Sequence, residues 1–92
     1  MDNQKKKNLY KAALVEWGSL AQVDQGIEEC AELIAEMIHW KRGRTVLKTL
    51  QSEIADVTIM LEQLTVMFDT DGGVSDEYTR KLERLKRRLN HD

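Results

Sequence analysis

The sequence predicts an all-α chain: an antiparallel helical hairpin with flanking helices, completing a four-helix-bundle core by oligomerisation. Three observations lead there. Proline is absent from all 92 residues, so no segment carries the residue that most strongly interrupts a helix. Apolar residues recur at steps of three and four, the period of a helix face. Aromatic residues make up only 5% of the chain, which together with the missing proline argues against a many-turned β-sandwich.

The elements follow in order. A first helix is expected over about Gln4 to Trp17, where Leu9, Ala13 and Trp17 stand four apart on one face and Gly18 ends the run. Ser19-Leu20-Ala21-Gln22 fits a capping box, in which the serine hydroxyl and the glutamine side chain satisfy orphan amides. The second helix it opens runs to about Trp40 or Lys41. Lys41-Arg42-Gly43 closes it, since cations suit a helix C-terminus and glycine suits the left-handed position beyond. Thr45 is the expected cap of a third helix, whose Leu47, Leu50, Ile54, Val57, Leu61, Leu64 and Phe68 form a packing seam of about six turns. Asp69-Thr70-Asp71-Gly72-Gly73 reads as a loop. A fourth helix over about Ser75 to Asn90 carries Tyr78, Leu82, Leu85 and Leu89. The lysines near the N-terminus read as a solvated, frayed end.

One domain, 1–92, accounts for all four segments. At this length a lone core is marginal, and a hairpin with attachments leaves much of its apolar stripe wet. A homodimer, or a tetramer made of two dimers, is the expected remedy.

Composition narrows the function. With 41% hydrophobic and 33% charged residues the chain is not intrinsically disordered. No stretch is long and apolar enough to span a bilayer, and the lysine-rich start leads into no signal-like run, so a cytoplasmic protein with no membrane partner is expected. A single cysteine, Cys30, forms no disulfide within the chain, and with His39 and His91 it makes no zinc box. Any metal site must be built from carboxylates. The net charge of −2 gives no global argument for nucleic acid. The charge is nevertheless sorted: residues 1–19 carry a net +2, residues 20–73 a net −6 and residues 74–92 a net +2.

The acids of the two long helices carry the chemistry. Glu28, Glu29, Glu32 and Glu36 fall within one arc of about 100° on the second helix, well round from Ile27, Ala31, Ile34 and Ile38. Such a stripe is ordinarily a solvated face. Glu53 on the third helix is more telling, because Val57 and Leu64 flank it on one side and Met60 and Met67 on the other, with Asp56 beside Met67. An unpaired carboxylate among apolar residues is costly, so a partner is implied. The four bases of the central segment, Lys41, Arg42, Arg44 and Lys48, cluster at the turn between the helices and cannot neutralise acids spread over several turns. Glu29-x-x-Glu32 facing Glu53-x-x-Asp56 offers four hard oxygen donors, a set suited to Mg²⁺ or Mn²⁺ rather than zinc.

Glu28-Glu29-Cys30-Ala31-Glu32-Leu33 followed by Glu53-Ile54-Ala55-Asp56-Val57 resembles the paired E-x-x-E and E-x-x-D motifs of the MazG-like all-α nucleoside triphosphate pyrophosphohydrolases. Trp17-Gly18, Gln22 and Gln25, the basic turn, the run Glu53 to Leu64 and Lys81-Leu82-Glu83-Arg84-Leu85 extend the likeness to the short phage and prophage members, over most of the chain. The resemblance implies Mg²⁺-dependent hydrolysis of a nucleoside or deoxynucleoside triphosphate to the monophosphate and pyrophosphate, in nucleotide metabolism. By position it implies Glu29, Glu32, Glu53 and Asp56 as metal ligands and Glu28 as the group that supports them or orients the attacking water. Lys41, Arg42, Arg44 and Lys48, with Lys81 and Arg84 of the last helix, are candidates for holding the triphosphate. Trp17 and Gln22 are candidates for stacking on and hydrogen-bonding the base.

Plainer readings compete with several of these. The basic turn also serves as ordinary C-capping, Trp17 and Trp40 as core or interface aromatics, and Cys30 as a small buried apolar residue. His39 suits the end of its helix dipole. Gly26 costs about 1 kcal/mol against alanine in a helix interior; a close helix crossing, a bound ligand or local weakness would each account for it. The alternative to an enzyme is a helical interaction module whose basic last helix binds an acidic partner or nucleic acid. The position of Glu53 and Asp56 against a packing face discriminates, since such a module has no use for acids there.

Overall fold

In the computed structural model, which describes residues 1–90, four helices follow one another: α1 (Asn3–Trp17), α2 (Ser19–Lys41), α3 (Leu47–Phe68) and α4 (Gly73–Leu89), with a 3₁₀ turn (Thr70–Gly72) before the last. His91 lies outside the described residues. No helix among them is long and apolar enough to cross a membrane.

α1 starts with a cap rather than a frayed end. Asp2 accepts the Lys5 backbone N–H at 2.7 Å, satisfying one of the first-turn donors. The lysines are not all idle, as Lys6 Nζ lies 3.5 Å from Glu62 on α3. Beside it the Tyr10 hydroxyl donates to Glu62 at 2.5 Å, and Tyr10 is one of the few buried apolar side chains. These contacts tie α1 to α3.

Between α1 and α2 the capping differs from expectation. The N-cap is Gly18, at φ +84°, and Ser19 is already the first helical residue, so its hydroxyl makes no capping bond. Gly18 donates its own N–H back to Leu14 and accepts from Gln22, so one residue serves both helices. A side chain at that φ would be strained. The α2–α3 connection is corrected in the same way. Val46 is the N-cap, and Thr45 instead sends its hydroxyl to Glu36 at 2.5 Å. Gly43, at φ +68°, fills the left-handed position after α2 as expected. Asp69-Thr70-Asp71-Gly72 is a hydrogen-bonded corner rather than a plain loop: Asp69 accepts the Val74 N–H at 2.8 Å and the Ser75 hydroxyl at 3.0 Å, which fixes the start of α4 two residues before Ser75.

The α2–α3 hairpin is the body of the molecule. Its interface is turned away from the leucine-rich seam that the apolar spacing suggested. On α3 the covered line is Glu53, Val57, Met60 and Leu64, with Val57 8% and Met60 5% exposed, while Ile54, Leu61 and Leu47 face outward. On α2 the covered line is Gln22, Gly26, Glu29, Leu33 and Glu36, at steps of four and three. Ile27, Ile34 and Ile38 lie outside it and are exposed. The reason is visible at Gly26: a Cβ there would meet Leu64 Cδ1 at 3.4 Å and Met60 Cε at 3.8 Å, so the missing side chain lets α3 approach along this line. Of the three explanations open for Gly26, the helix crossing is the one the structure supports.

This rotation leaves a large apolar area uncovered. Leu82, Leu85 and Leu89 on α4 and Phe68 at the end of α3 are all exposed, and α4 makes its close contacts with the 3₁₀ turn that precedes it. The radius of gyration is 16.0 Å, against about 12 Å for a compact chain of this length. Trp17 and Trp40 are 64% and 60% exposed, so neither is a core residue of the single chain.

Candidate metal centre

Because the interface runs through Glu29 and Glu53, the hairpin brings carboxylates from both helices into one slot. Glu29, Glu53 and Asp56 each place one oxygen within 4.8 Å of the others. Opposite ligands of an octahedral Mg²⁺ stand about 4 Å apart, so a small inward movement suffices to share one ion. Glu29 Oε2 and Glu53 Oε2 are buried and accept no hydrogen bond. The other Glu29 oxygen accepts from Gln25 Nε2 at 2.8 Å. Among the described residues no lysine or arginine pairs with Glu29, Glu32, Glu53 or Asp56. Two oxygens with no donor and no counter-ion are the acceptors a hard cation would satisfy, so the residues present fit such an ion.

The electrostatics show the same crowding. The Glu53 carboxyl is held above the usual carboxylate range, first by burial and then by the charges of Asp56, Glu29 and Glu36, with an opposing hydrogen bond from Glu32. Glu32 is also raised, chiefly by Glu29, then by burial and by Glu53, Glu28 and Asp56. Glu32 therefore belongs to the field of the cluster, although it is exposed and stands outside the converging triad. Glu28 is exposed at the rim. Glu36 plays a structural part: its two oxygens take the Thr45 hydroxyl and His39 Nδ1 (3.3 Å), and these bonds hold its pKa below the usual range.

The cationic candidates are placed less centrally. Lys41, Arg42 and Arg44 are exposed around the connection beyond Glu36. Lys48 stands about 140° round α3 from Glu53 and so leaves the slot on the opposite side. Lys81 and Arg84 sit on α4, close enough to Glu77 to lower its pKa behind the leading effect of Arg80, and no contact joins them to the carboxylates of their own chain. Trp17 and Gln22 are brought together, lining one pocket with Ala21, Gln25 and Gln63. The sequence reading did not include Gln63. Its only signal was register: it lies ten residues after Glu53, about 80° round α3 from it and one turn beyond Met60.

Compared with known proteins, the chain matches no family model, no curated protein and no solved structure. The class that fold and site define is an all-α hairpin protein with a carboxylate cluster between its two long helices.

Proposed function

We propose that the protein is a divalent-cation-dependent nucleoside triphosphate pyrophosphohydrolase, working as a homodimer or a dimer of dimers. The observation that carries this reading is the convergence of Glu29, Glu53 and Asp56 from facing helices, with two buried oxygens left without donors. Its double-motif resemblance to the MazG-like enzymes points to the substrate. Glu29, Glu53 and Asp56, with Glu32 at the edge, would hold Mg²⁺ or Mn²⁺. Bound there, the cation would neutralise phosphate charge and make water more acidic.

The chain's own residues would supply the rest. Water adds across the α–β anhydride: its oxygen bonds to one phosphorus, the bridging oxygen leaves with the other, and one proton is released. Glu28, one residue before Glu29 and exposed at the rim, is placed to orient that water and accept the proton. Lys41, Arg42 and Arg44 supply positive charge at one end of the slot. The uncovered apolar residues Ile27, Ile34 and Phe68 support assembly, because a single chain leaves them in water.

The test incubates purified protein with a panel of NTPs and dNTPs, in Mg²⁺ and then in chelator, and measures pyrophosphate separately from orthophosphate. Metal-dependent pyrophosphate release that disappears in Glu53→Gln is expected. Orthophosphate alone would displace the bond assignment. Absence of turnover, together with no thermal stabilisation by Mg²⁺ or Mn²⁺, would favour the second reading, an interaction module. The observation behind that reading is α4, whose exposed leucines are backed by Arg80, Lys81, Arg84, Arg87 and Arg88.

A further inference from the structure

Next to the carboxylate slot lies a cavity of about 410 Å³, lined by Trp17, Ala21, Gln22, Gln25 and Gln63. That volume falls in the range of small-molecule sites, about 300–1,000 Å³. Its lining is uncharged. Gln22 is only 5% exposed, and its carboxamide has no hydrogen-bond partner among the described residues. Burying an amide without a partner is unfavourable, and a ligand that pairs with it removes that cost. Gln63 likewise has no partner, while Gln25 has spent one N–H on Glu29 and keeps its oxygen free to accept. Trp17 adds an exposed indole at the wall, a surface on which a flat ring can stack.

We propose that this cavity binds the neutral heteroaromatic ring of a nucleoside, held by the carboxamides of Gln22 and Gln63 against the Trp17 indole. The proposal rests on the triphosphate reading of the neighbouring slot and specifies how its substrate is gripped. Register supports it. Gln22 and Glu29 are seven residues apart on one helix, which places them on the same face and about 10 Å apart along the axis. A sugar and its first phosphate bridge such a gap. Carboxamides suit the ring because each offers both an acceptor and two donors, the mixture found on base edges. The absence of any lining cation disfavours phosphate in this part of the molecule. Gln25 is the hinge between the two regions, a positioning residue that borders the cavity with one end and holds the Glu29 carboxylate with the other.

The test uses free nucleosides, which carry no phosphate, in the presence of chelator, so that neither metal nor triphosphate contributes. The full-length protein, labelled with ¹⁵N, gives two indole N–H signals, from Trp17 and Trp40. At millimolar concentration at least one of the common nucleosides should move the Trp17 indole and the carboxamide signals of Gln22 and Gln63, leaving Trp40 unmoved. Gln63→Leu, on a half-exposed position, should retain its helix content by circular dichroism and weaken that response about tenfold, the discrimination a lost polar pair provides. Gln63→Asn, which shortens the reach but keeps the amide, should fall between. Titration of the nucleoside-free protein with Mg²⁺ or Mn²⁺ reports on the slot alone. A nucleoside response without a cation response leaves the cavity assignment standing and removes the metal reading. A cation response with no nucleoside response overturns the cavity assignment. Equal movement of both indoles, or an unchanged response in folded Gln63→Leu, overturns it too.

Discussion

Replacing Gly26 with alanine should stabilise this protein. In the middle of a helix glycine costs about 1 kcal/mol relative to alanine, and that cost is normally retained only where a side chain would collide. At Gly26 the added Cβ meets Leu64 Cδ1 at 3.4 Å, Met60 Cε at 3.8 Å and Leu64 Cδ2 at 3.9 Å, and all three atoms are the free ends of flexible side chains. These are van der Waals contacts, so the methyl group gains dispersion and loses water with little displacement of α3. The net expectation is a gain of about 0.5–1 kcal/mol. For a chain of this size that corresponds to a rise in Tm of roughly 2–8 °C. Far-ultraviolet circular dichroism during heating measures it, at one fixed protein concentration because assembly would make Tm concentration-dependent. Gly26→Leu is the paired control: its branched end must enter the space of Leu64 and Met60, at a cost of about 1–3 kcal/mol. A lower Tm for Gly26→Ala would refute the reasoning, and would mean that the crossing tolerates no atom beyond the glycine hydrogen.

The remaining predictions concern charge and anchoring. Glu53→Gln should raise the Tm of the metal-free protein, because it removes one member of a like-charged group, and should abolish stabilisation by Mg²⁺ or Mn²⁺. Glu32 and Glu53 have raised pKa values in the fold, so they bind protons more readily there than in the unfolded chain. Their contribution to metal-free stability therefore grows as pH falls through the raised values and is complete below the unfolded value, while Mn²⁺ affinity, followed by calorimetry, rises with pH. Asp69 has the opposite sign: its pKa is lowered chiefly by the Val74 N–H and then by the Ser75 hydroxyl, so its contribution is present above the unfolded value and disappears as pH falls through the folded one. Asp69→Asn should flatten that acid limb and speed amide exchange at Val74. Tyr10→Phe removes the bond to Glu62 and should cost about 1 kcal/mol, with amide exchange in α1 accelerating before that in α2 or α3.

Helix number and approximate limits were legible because spacing and punctuation agree: Gly18, Gly43 and the Asp69–Gly73 corner all fall between elements. The caps were not, since Ser19 and Thr45 are good capping residues by type, yet one stands inside its helix and the other is drawn to Glu36. The third helix misled for a different reason. Its leucines are the more hydrophobic stripe, but burial followed closest approach, and Gly26 offers that approach on the side of Glu53 and Met60. Glu29, Glu53 and Asp56 were legible from their i, i+3 spacing and apolar neighbours. Gln63 was not, because a lone glutamine on a helix has no pattern until the fold sets it beside Gln22 and Trp17. Lys81 and Arg84 depend on where α4 goes, which no local pattern decides.

The carboxylate slot also has a consequence for the order in which the chain acquires structure. Both of its walls come from helices adjacent in sequence, Ser19–Lys41 and Leu47–Phe68, joined by five residues. Contacts this local form early and fast. During synthesis from the N-terminus the hairpin can close once α3 has emerged, before α4 exists. The acids then meet while the nascent chain still lacks its basic helix, and a free divalent cation in the surrounding solution is the natural counter-charge at that moment.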